Sequence, residues 1–325
     1  MNPEHPSFTP PQEQEKLSNL EKWLSSELHK QYEETAKALN ELGLLEILPE
    51  CGEIGIVGTD GKEYPLPSEE QIKEEMLKNR EVFETKMSQG FTELEITPFA
   101  LPLERLIDVA KKTILKHYKE GKLFGTKENP DDESEPLELL KLDEDKPFLL
   151  WEGLKDADTQ GTLIYYPEEF SKNHQGLTKQ ELLEASKDSS FSGFNVYLRE
   201  KDINTPEKGK TQGGRTRLGS GKSSEGYLQA LQTQQEYQQE SGQTPEDWLT
   251  LFSTHLKKTN QVIDEYHVSA KYNRLIGSYH PASKGVPIAG WNNNDRQAFL
   301  YRSNLGHSFL SFGARSAVRI PPLEG

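Results

Sequence analysis

The residues that most resemble a chemical site are the run Gly219-Ser220-Gly221-Lys222-Ser223. Glycine amides followed by a lysine can cradle a phosphate, but a phosphate loop of the type G-x-x-x-x-G-K-[ST] needs an earlier glycine. That glycine would stand at position 216, which is Thr216. The sequence therefore predicts a flexible basic loop here and no nucleotide site.

Other catalytic and metal-binding arrangements are also missing from the sequence. The eight histidines include no pair spaced by four residues, and no Gly-x-Ser-x-Gly turn occurs. Because Cys51 is the only cysteine, one chain can form neither a disulfide nor a cysteine-based zinc or iron–sulfur site. Its acidic neighbours Glu50 and Glu53 disfavour a thiolate. We therefore expect no catalytic residues, no metal, no cofactor and no enzymatic activity.

Charge is distributed unevenly along the chain. Its 38 basic and 53 acidic residues give a formal net charge of −15, which argues against a protein that wraps nucleic acid over its whole surface. From Tyr266 to the end, however, seven basic residues accompany only two acidic ones, and eight aromatic residues are interspersed. This composition is typical of a recognition surface, although a β-rich core is an equal alternative.

The N-terminus gives no sign of export. It lacks the basic, apolar and small-residue order of a secretory signal, and no run of about eighteen apolar residues occurs in the chain. We expect a cytoplasmic protein without a membrane segment, and association with a virus particle is an alternative.

The helices and strands that would position a site are predicted from local patterns, and they divide the chain into four parts. Helical periodicity predicts one long amphipathic helix over 15–42, and a capping box at Ser68 predicts another to about residue 88. An Asp60-Gly61 turn predicts a hairpin, and Pro102 opens a further helix. The expected organisation is a flexible N-terminus (1–14), a mostly helical region with a small hairpin (15–126), an acidic linker (127–146) and a β-rich domain (147–325).

The last part of the chain carries the clearest anomaly. Between Trp291 and Ile320 lies a mixture of Phe, Tyr, Arg, Ser, Asn and His with neither the period of a strand nor that of a helix. Such a mixture makes a poor core and a good contact surface, since it combines apolar area with adaptable hydrogen bonding. Three consecutive asparagines from Asn292 suit a turn, but folding chemistry alone gives no reason for three.

Several residues within and beside this mixture resemble the sequence pattern of a known family. Trp291, Asp295-Arg296-Gln297-Ala298, Leu300 and Gly313-Ala-Arg-Ser-Ala-Val-Arg319 closely resemble the variable region of diversity-generating retroelement variable proteins. The likeness is strongest over about 190–325 and weaker over 147–189. In that family a reverse transcriptase rewrites adenine positions near the end of the gene, and asparagine codons are the usual targets.

The resemblance implies both a fold and a function. The expected fold class is α+β, with a C-type-lectin-like β-rich domain of the formylglycine-generating-enzyme type that contains inserted helices and follows a mostly helical N-terminal region. The expected function is ligand binding through a hypervariable surface within 291–320. The ligand is unknown and expected to be a protein. The oxidase chemistry of the related enzymes needs a cysteine pair, which this chain lacks.

The resemblance also assigns individual residues. The diversified, ligand-binding positions would be Asn292, Asn293, Asn294, Phe299, Tyr301, Arg302, Ser303, Asn304, His307, Ser308, Phe309 and Ser311. The scaffold would comprise Trp291, Asp295, Arg296, Gly313, Arg315 and Arg319. We expect Trp291 to be a buried anchor and the arginines to form internal ion pairs or carbonyl hydrogen bonds, with Asp295 a candidate partner of Arg296 or Arg315.

Two alternatives remain open from the sequence. An enzyme could use an unrecognised pocket within 147–265, lined by Trp151, Tyr165, Tyr166 and His174. A nucleic-acid binder could instead use the basic loop at 208–222, through Lys208, Lys210, Arg215, Arg217 and Lys222. No motif supports the enzyme, and the net charge weighs against nucleic acid.

Overall fold

The computed structural model describes residues 17–127, 132, 134–266 and 270–322. The predicted flexible N-terminus, 1–14, lies outside the described residues, as do 128–131 and 133 of the predicted linker. The α-helices of the described chain are α1 (Asn19–Ser26), α2 (Leu28–Glu41), α3 (Glu69–Lys78), α4 (Arg80–Ser88), α5 (Leu103–Lys119), α6 (Lys179–Ala185), α7 (Ser224–Thr233) and α8 (Pro245–Thr259).

The strands are mostly short. They are β1 (Glu46–Ile47), β2 (Ile54–Val57), β3 (Glu63–Pro65), β4 (Phe91–Thr97), β5 (Phe148–Leu150), β6 (Ile164–Tyr165), β7 (Asn195–Glu200), β8 (Thr205–Pro206), β9 (Thr211–Gln212), β10 (Arg215–Thr216), β11 (Ser241–Gly242), β12 (Ala270–Arg274), β13 (Ser278–Tyr279), β14 (Gly285–Asn292), β15 (Gln297–Asn304), β16 (Phe312–Gly313) and β17 (Ser316–Ile320). The described chain is therefore a mixed α+β protein, as the fold class predicts at this coarser level.

Two larger sheets organise the molecule. One is antiparallel with the strand order β11-β17-β7-β4. The other has the order β16-β12-β14-β15-β5, with β8 paired to β12. In the second sheet β15 lies between antiparallel β14 and parallel β5. Since β4 belongs to the predicted N-terminal region and β7 to the C-terminal one, one sheet joins both.

Helix α8 forms the centre of the core. It contacts α2, α5, β4 and β14, and its residues from Pro245 to Thr254 are all buried. A capping box between Thr244 and Asp247 opens the helix, and Asn260 ends it in a left-handed conformation. One hydrophobic cluster runs from Leu20 to Ile320, so the core is continuous across the predicted linker.

The two long helices predicted in the N-terminal region, one from periodicity and one from a capping box, are each interrupted. The helix predicted over 15–42 is broken at Glu27, just after Ser25 and Ser26, whose hydroxyls both bond to the Lys22 carbonyl. Such local bonds compete with helix continuation. The second helix starts at the predicted capping box but breaks at Asn79, whose φ of −110° and ψ of 35° are not helical. The apolar periodicity continues through both breaks, which is why sequence reasoning missed them.

The predicted basic loop is more ordered than expected. Within it β9 and β10 form a hairpin whose turn uses Gly213 and Gly214, both at positive φ.

The C-terminal end of the predicted acidic linker is also ordered. Leu142 is buried, and the Asp143 backbone amide donates to the Arg296 carbonyl at 3.0 Å. Among the described residues no helix is long and apolar enough to cross a bilayer.

Candidate functional site

The hairpin of β14 and β15 separates two faces. Side chains alternate along a strand, and one face carries Trp291, Ala298 and Leu300, each completely buried in the core. Trp291 lies opposite Ala298. The prediction that Trp291 is a buried anchor is therefore confirmed.

The opposite, outer face carries a row of apolar residues. Strand register places Phe312 beside Tyr272, Gly290 opposite Phe299, and Phe299 beside Leu149. Since Gly290 has no side chain, the rings of Tyr272 and Phe299 meet edge to face with centroids 4.9 Å apart. A Cβ on Gly290 would lie 2.6 Å from the Tyr272 ring. Burial raises the pKa of Tyr272 to about 12, so its hydroxyl stays neutral.

The segment after β15 continues this aromatic surface. Phe309, which is 48% exposed, has its ring 5.7 Å from that of Phe312 and 5.6 Å from that of His307. At the other edge Tyr266, 49% exposed, has its ring 5.5 Å from that of Tyr272. The outer face thus presents linked aromatic side chains, and we call these five residues together with Phe299 the aromatic surface.

The three asparagines form the turn that joins β14 to β15. The Asn292 side-chain oxygen accepts from the amides of Asn294 and Asp295 at 3.0 and 3.2 Å. Asn293 accepts from the Trp291 indole at 2.9 Å and donates to Glu265 at 2.5 Å. Two of the three asparagines therefore have a role in folding, contrary to the expectation that folding chemistry would not explain them.

The predicted variable positions divide by exposure into three groups. Seven are exposed: Asn293, Asn294, Tyr301, Asn304, His307, Ser308 and Phe309. Three are half-buried: Asn292, Arg302 and Ser311. Two are buried: Phe299 and Ser303.

The expectation of an exposed side chain is wrong for Phe299 and Ser303. Phe299 lies on the outer face, but the ring of Tyr272 covers it. Ser303 lies on the same face, where its hydroxyl accepts from the Arg274 guanidinium at 2.6 Å. Alternation along β15 predicts the correct face for both, whereas the covering residues come from β12 and could not be identified from the local sequence.

Two predicted scaffold arginines form buried ion pairs. Arg315 pairs with Asp264 at 2.8 Å. Arg319 pairs with Asp247 at 2.6 Å and has its guanidinium 4.9 Å from the ring of Tyr197. Although burial lowers the pKa of Arg319, the Asp247 carboxylate raises it above its usual value. The prediction of internal ion pairs is confirmed for these two arginines.

The ion pairs expected for Asp295 and Arg296 are not formed among the described residues. Both side chains are exposed. Asp295 accepts from the Asn292 side-chain amide at 2.6 Å and pairs with neither Arg296 nor Arg315. Arg296 has a left-handed backbone with φ of 55°, because it closes the turn that Asn292 caps. The remaining predicted scaffold residue, Gly313, is buried against Thr205.

Sequence reasoning missed Arg274, which lies beneath the segment after β15. Its guanidinium donates to the hydroxyls of Ser303 and Ser224 at 2.6 and 3.1 Å and to the His307 carbonyl at 2.7 Å. Unlike Arg315 and Arg319, this fully buried arginine has no carboxylate partner among the described residues. Burial accordingly lowers its pKa to about 10. The sequence gives no signal for this role, since the contacts are far apart along the chain.

We expect Arg274→Met to loosen the segment from Ser303 to Phe309. The substitution keeps the length of the side chain but removes three hydrogen bonds, one of them to a backbone carbonyl. Hydrogen–deuterium exchange of amides in 303–309 should accelerate at least about tenfold. Arg105→Met is the matched control, because exposed Arg105 also donates to a carbonyl, that of Gly43. Unchanged protection in 303–309 would contradict this role.

The residues proposed for an enzymatic pocket contact different parts of the structure. Tyr165 is buried and donates to Glu246 at 2.6 Å, whereas the ring of Tyr166 lies 5.2 Å from the Arg319 guanidinium. Trp151 lies against Arg302, on β15. None of these three, nor His174, lines either of two surface clefts of about 900 and 790 Å³.

The basic loop does not present its five cations as one surface. Arg215 is buried and pairs with Glu240 at 2.7 Å. Arg217 pairs with Glu200 and Asp202. Ion pairs thus neutralise two of the five cations that the nucleic-acid alternative requires.

Across the described ranges, no group of three or more His, Cys, Asp or Glu side chains could hold a metal ion.

Comparison with family models, with curated proteins and with solved structures finds no match to this chain. The candidate site is therefore defined by its own geometry, as an aromatic surface above the buried face of the β14–β15 hairpin.

Proposed function

We propose that this chain is a non-enzymatic ligand-binding protein of the diversity-generating retroelement type, with a C-type-lectin-like domain. Its ligand, which we expect to be a protein, would contact the aromatic surface and the seven exposed variable positions. The observation that carries this proposal is the difference in solvent exposure between most predicted variable residues and most predicted scaffold residues within 291–320. Seven of the twelve predicted variable positions are exposed, whereas Trp291, Gly313, Arg315 and Arg319 are buried.

This division matches what a diversified surface requires. Substitutions at exposed positions usually change the free energy of unfolding by about 0.5 kcal/mol or less. Exposed Tyr301 and Phe309 are aromatic, and aromatic residues dominate the energetic hot spots of interfaces. A chain could therefore exchange these side chains, and its ligand, without losing its fold.

Sequencing the DNA around the gene tests the diversification. We expect a near-duplicate of the codons for 291–320, differing mainly at adenines, close to a reverse transcriptase gene. If the flanking DNA contained neither the repeat nor the reverse transcriptase, the retroelement part of the proposal would be wrong.

A display library tests ligand binding. The full chain is randomised at the seven exposed variable positions and selected against ovalbumin as a probe; we call this the seven-position library. A control library is randomised at seven exposed positions in another part of the chain: Thr159, Gln160, Thr162, Glu168, Glu169, Lys172 and Asn173. We expect at least about tenfold more binding clones from the seven-position library. No binders, or equal numbers from both libraries, would contradict the proposal.

A further inference from the structure

Trp151 lies outside the predicted variable segment but beside its central strand. It follows β5, and its backbone N–H donates to the Leu300 carbonyl at 2.9 Å. Its ring is half-buried and packs edge to face on His280 at 5.3 Å between centroids. Gly153 leaves room for that ring, because a Cβ there would lie 2.3 Å from it. The position of the indole is therefore fixed by residues that diversification does not reach.

Two predicted variable residues lie against this indole. The Arg302 guanidinium carbon is 5.5 Å from the Trp151 ring centre, within the range of a cation–π interaction. The ring of Tyr301 is 6.5 Å away and steeply inclined to it. The guanidinium also donates to the Asn304 side-chain oxygen at 2.7 Å.

Arg302 also forms no ion pair with a described carboxylate. Within the described ranges no carboxylate lies at ion-pair distance from it. Its hydrogen bonds go to Asn304 and, at 3.4 Å, to the Ser283 carbonyl, and both come from Nη1. Its Nε and Nη2 donors therefore have no acceptor in the described chain, although the side chain is only half exposed.

We propose, on the basis of the proposed function, that Trp151 is a ligand-contacting residue supplied by the scaffold, and that with Arg302 it binds a carboxylate side chain of a protein partner. A planar guanidinium with free donors matches the two oxygens of a carboxylate. The Trp151 ring orders the guanidinium before binding, so less side-chain entropy is lost when the partner arrives. The indole and Tyr301 supply apolar contact around that charge.

Clones that bind ovalbumin, an acidic protein, test this inference when they come from a library randomised only at Asn293, Asn294, His307, Ser308 and Phe309. That library leaves Trp151 and Arg302 unchanged, together with their neighbours Tyr301 and Asn304. Trp151→Ala should lower the affinity of most clones at least about tenfold, as measured by biolayer interferometry. Arg302→Gln should lower it about fivefold or more and should reduce its dependence on salt. Ile47→Ala is the control, because Ile47 is an exposed apolar residue on β1, and it should change affinity less than twofold.

The possible failures separate the two proposals. Binding clones that are indifferent to both Trp151→Ala and Arg302→Gln would overturn this inference and leave the proposed function standing. A library without binders would overturn both. If Trp151→Ala no longer unfolds cooperatively, Trp151→Phe and Arg302→Gln replace it. An intermediate loss of affinity with Trp151→Phe and a salt-dependent loss with Arg302→Gln would then support the inference, and no loss with either would overturn it.

Discussion

Replacing Asp264 with alanine should lower the free energy of unfolding by about 3–5 kcal/mol, because it leaves a buried cation uncompensated. Asp264 is fully buried and pairs with Arg315. It also accepts from the Trp248 indole at 2.8 Å and from the Thr205 amide at 2.9 Å. One carboxylate therefore satisfies donors from α8, β8 and the segment before β17. Urea denaturation at neutral pH measures the effect.

Two further variants test whether this loss of stability comes from the unpaired buried charge of Arg315. Asp188→Ala removes an exposed carboxylate and should change stability by less than about 0.5 kcal/mol. The double variant Asp264→Leu with Arg315→Met removes both charges and should recover part of the loss, since apolar replacement of a buried pair is often tolerated. A loss below about 1 kcal/mol for Asp264→Ala would show that water or movement of Arg315 compensates the charge.

Trp291→Ala should cost about 3–5 kcal/mol of stability, the usual range for truncating a buried tryptophan. Its ring is completely buried against the core, and its indole N–H bonds to Asn293 in the turn. The substitution therefore both opens a cavity and frees the turn that carries three predicted variable positions. Thermal and urea unfolding measure the loss.

Phe309→Ala is the matched comparison for Trp291→Ala. Both remove a large aromatic side chain from the same C-terminal block, but Phe309 is 48% exposed. Its truncation should change stability by about 0.5 kcal/mol or less. Equal losses for the two variants would mean that Phe309 belongs to the core, which would remove the basis for calling this face a binding surface.

Local sequence signals predicted local structure well. The capping box predicted at Ser68 opens a helix, because the signal and the structure involve residues three positions apart. The hairpin around Gly61 and the burial of Trp291 also follow from local patterns. The breaks at Glu27 and Asn79 were missed because they do not interrupt the apolar period.

The partners of the buried charges could not be predicted from the sequence. Arg315 and Asp264 are 51 positions apart, and Arg319 and Asp247 are 72 apart. Many of the chain's 53 acidic residues could serve equally well on composition. Asp295 is the nearest carboxylate in sequence, but it is not the partner, since its side chain stays within the turn and accepts from the Asn292 side-chain amide. The cover of Phe299 by Tyr272 likewise depends on strand order.

The placement of β15 between β14 and β5 has a consequence for the proposed diversification. Both hydrogen-bonding edges of this strand are occupied, by β14 along its whole length and by β5 from Ala298 to Leu300. An open strand edge invites pairing with other molecules, and apolar substitutions there promote aggregation. From Ala298 to Leu300 the strand therefore has no free backbone edge beside Phe299, one of the predicted variable residues. Under the proposed function, exchange of that side chain would carry little risk of self-association through this part of the strand.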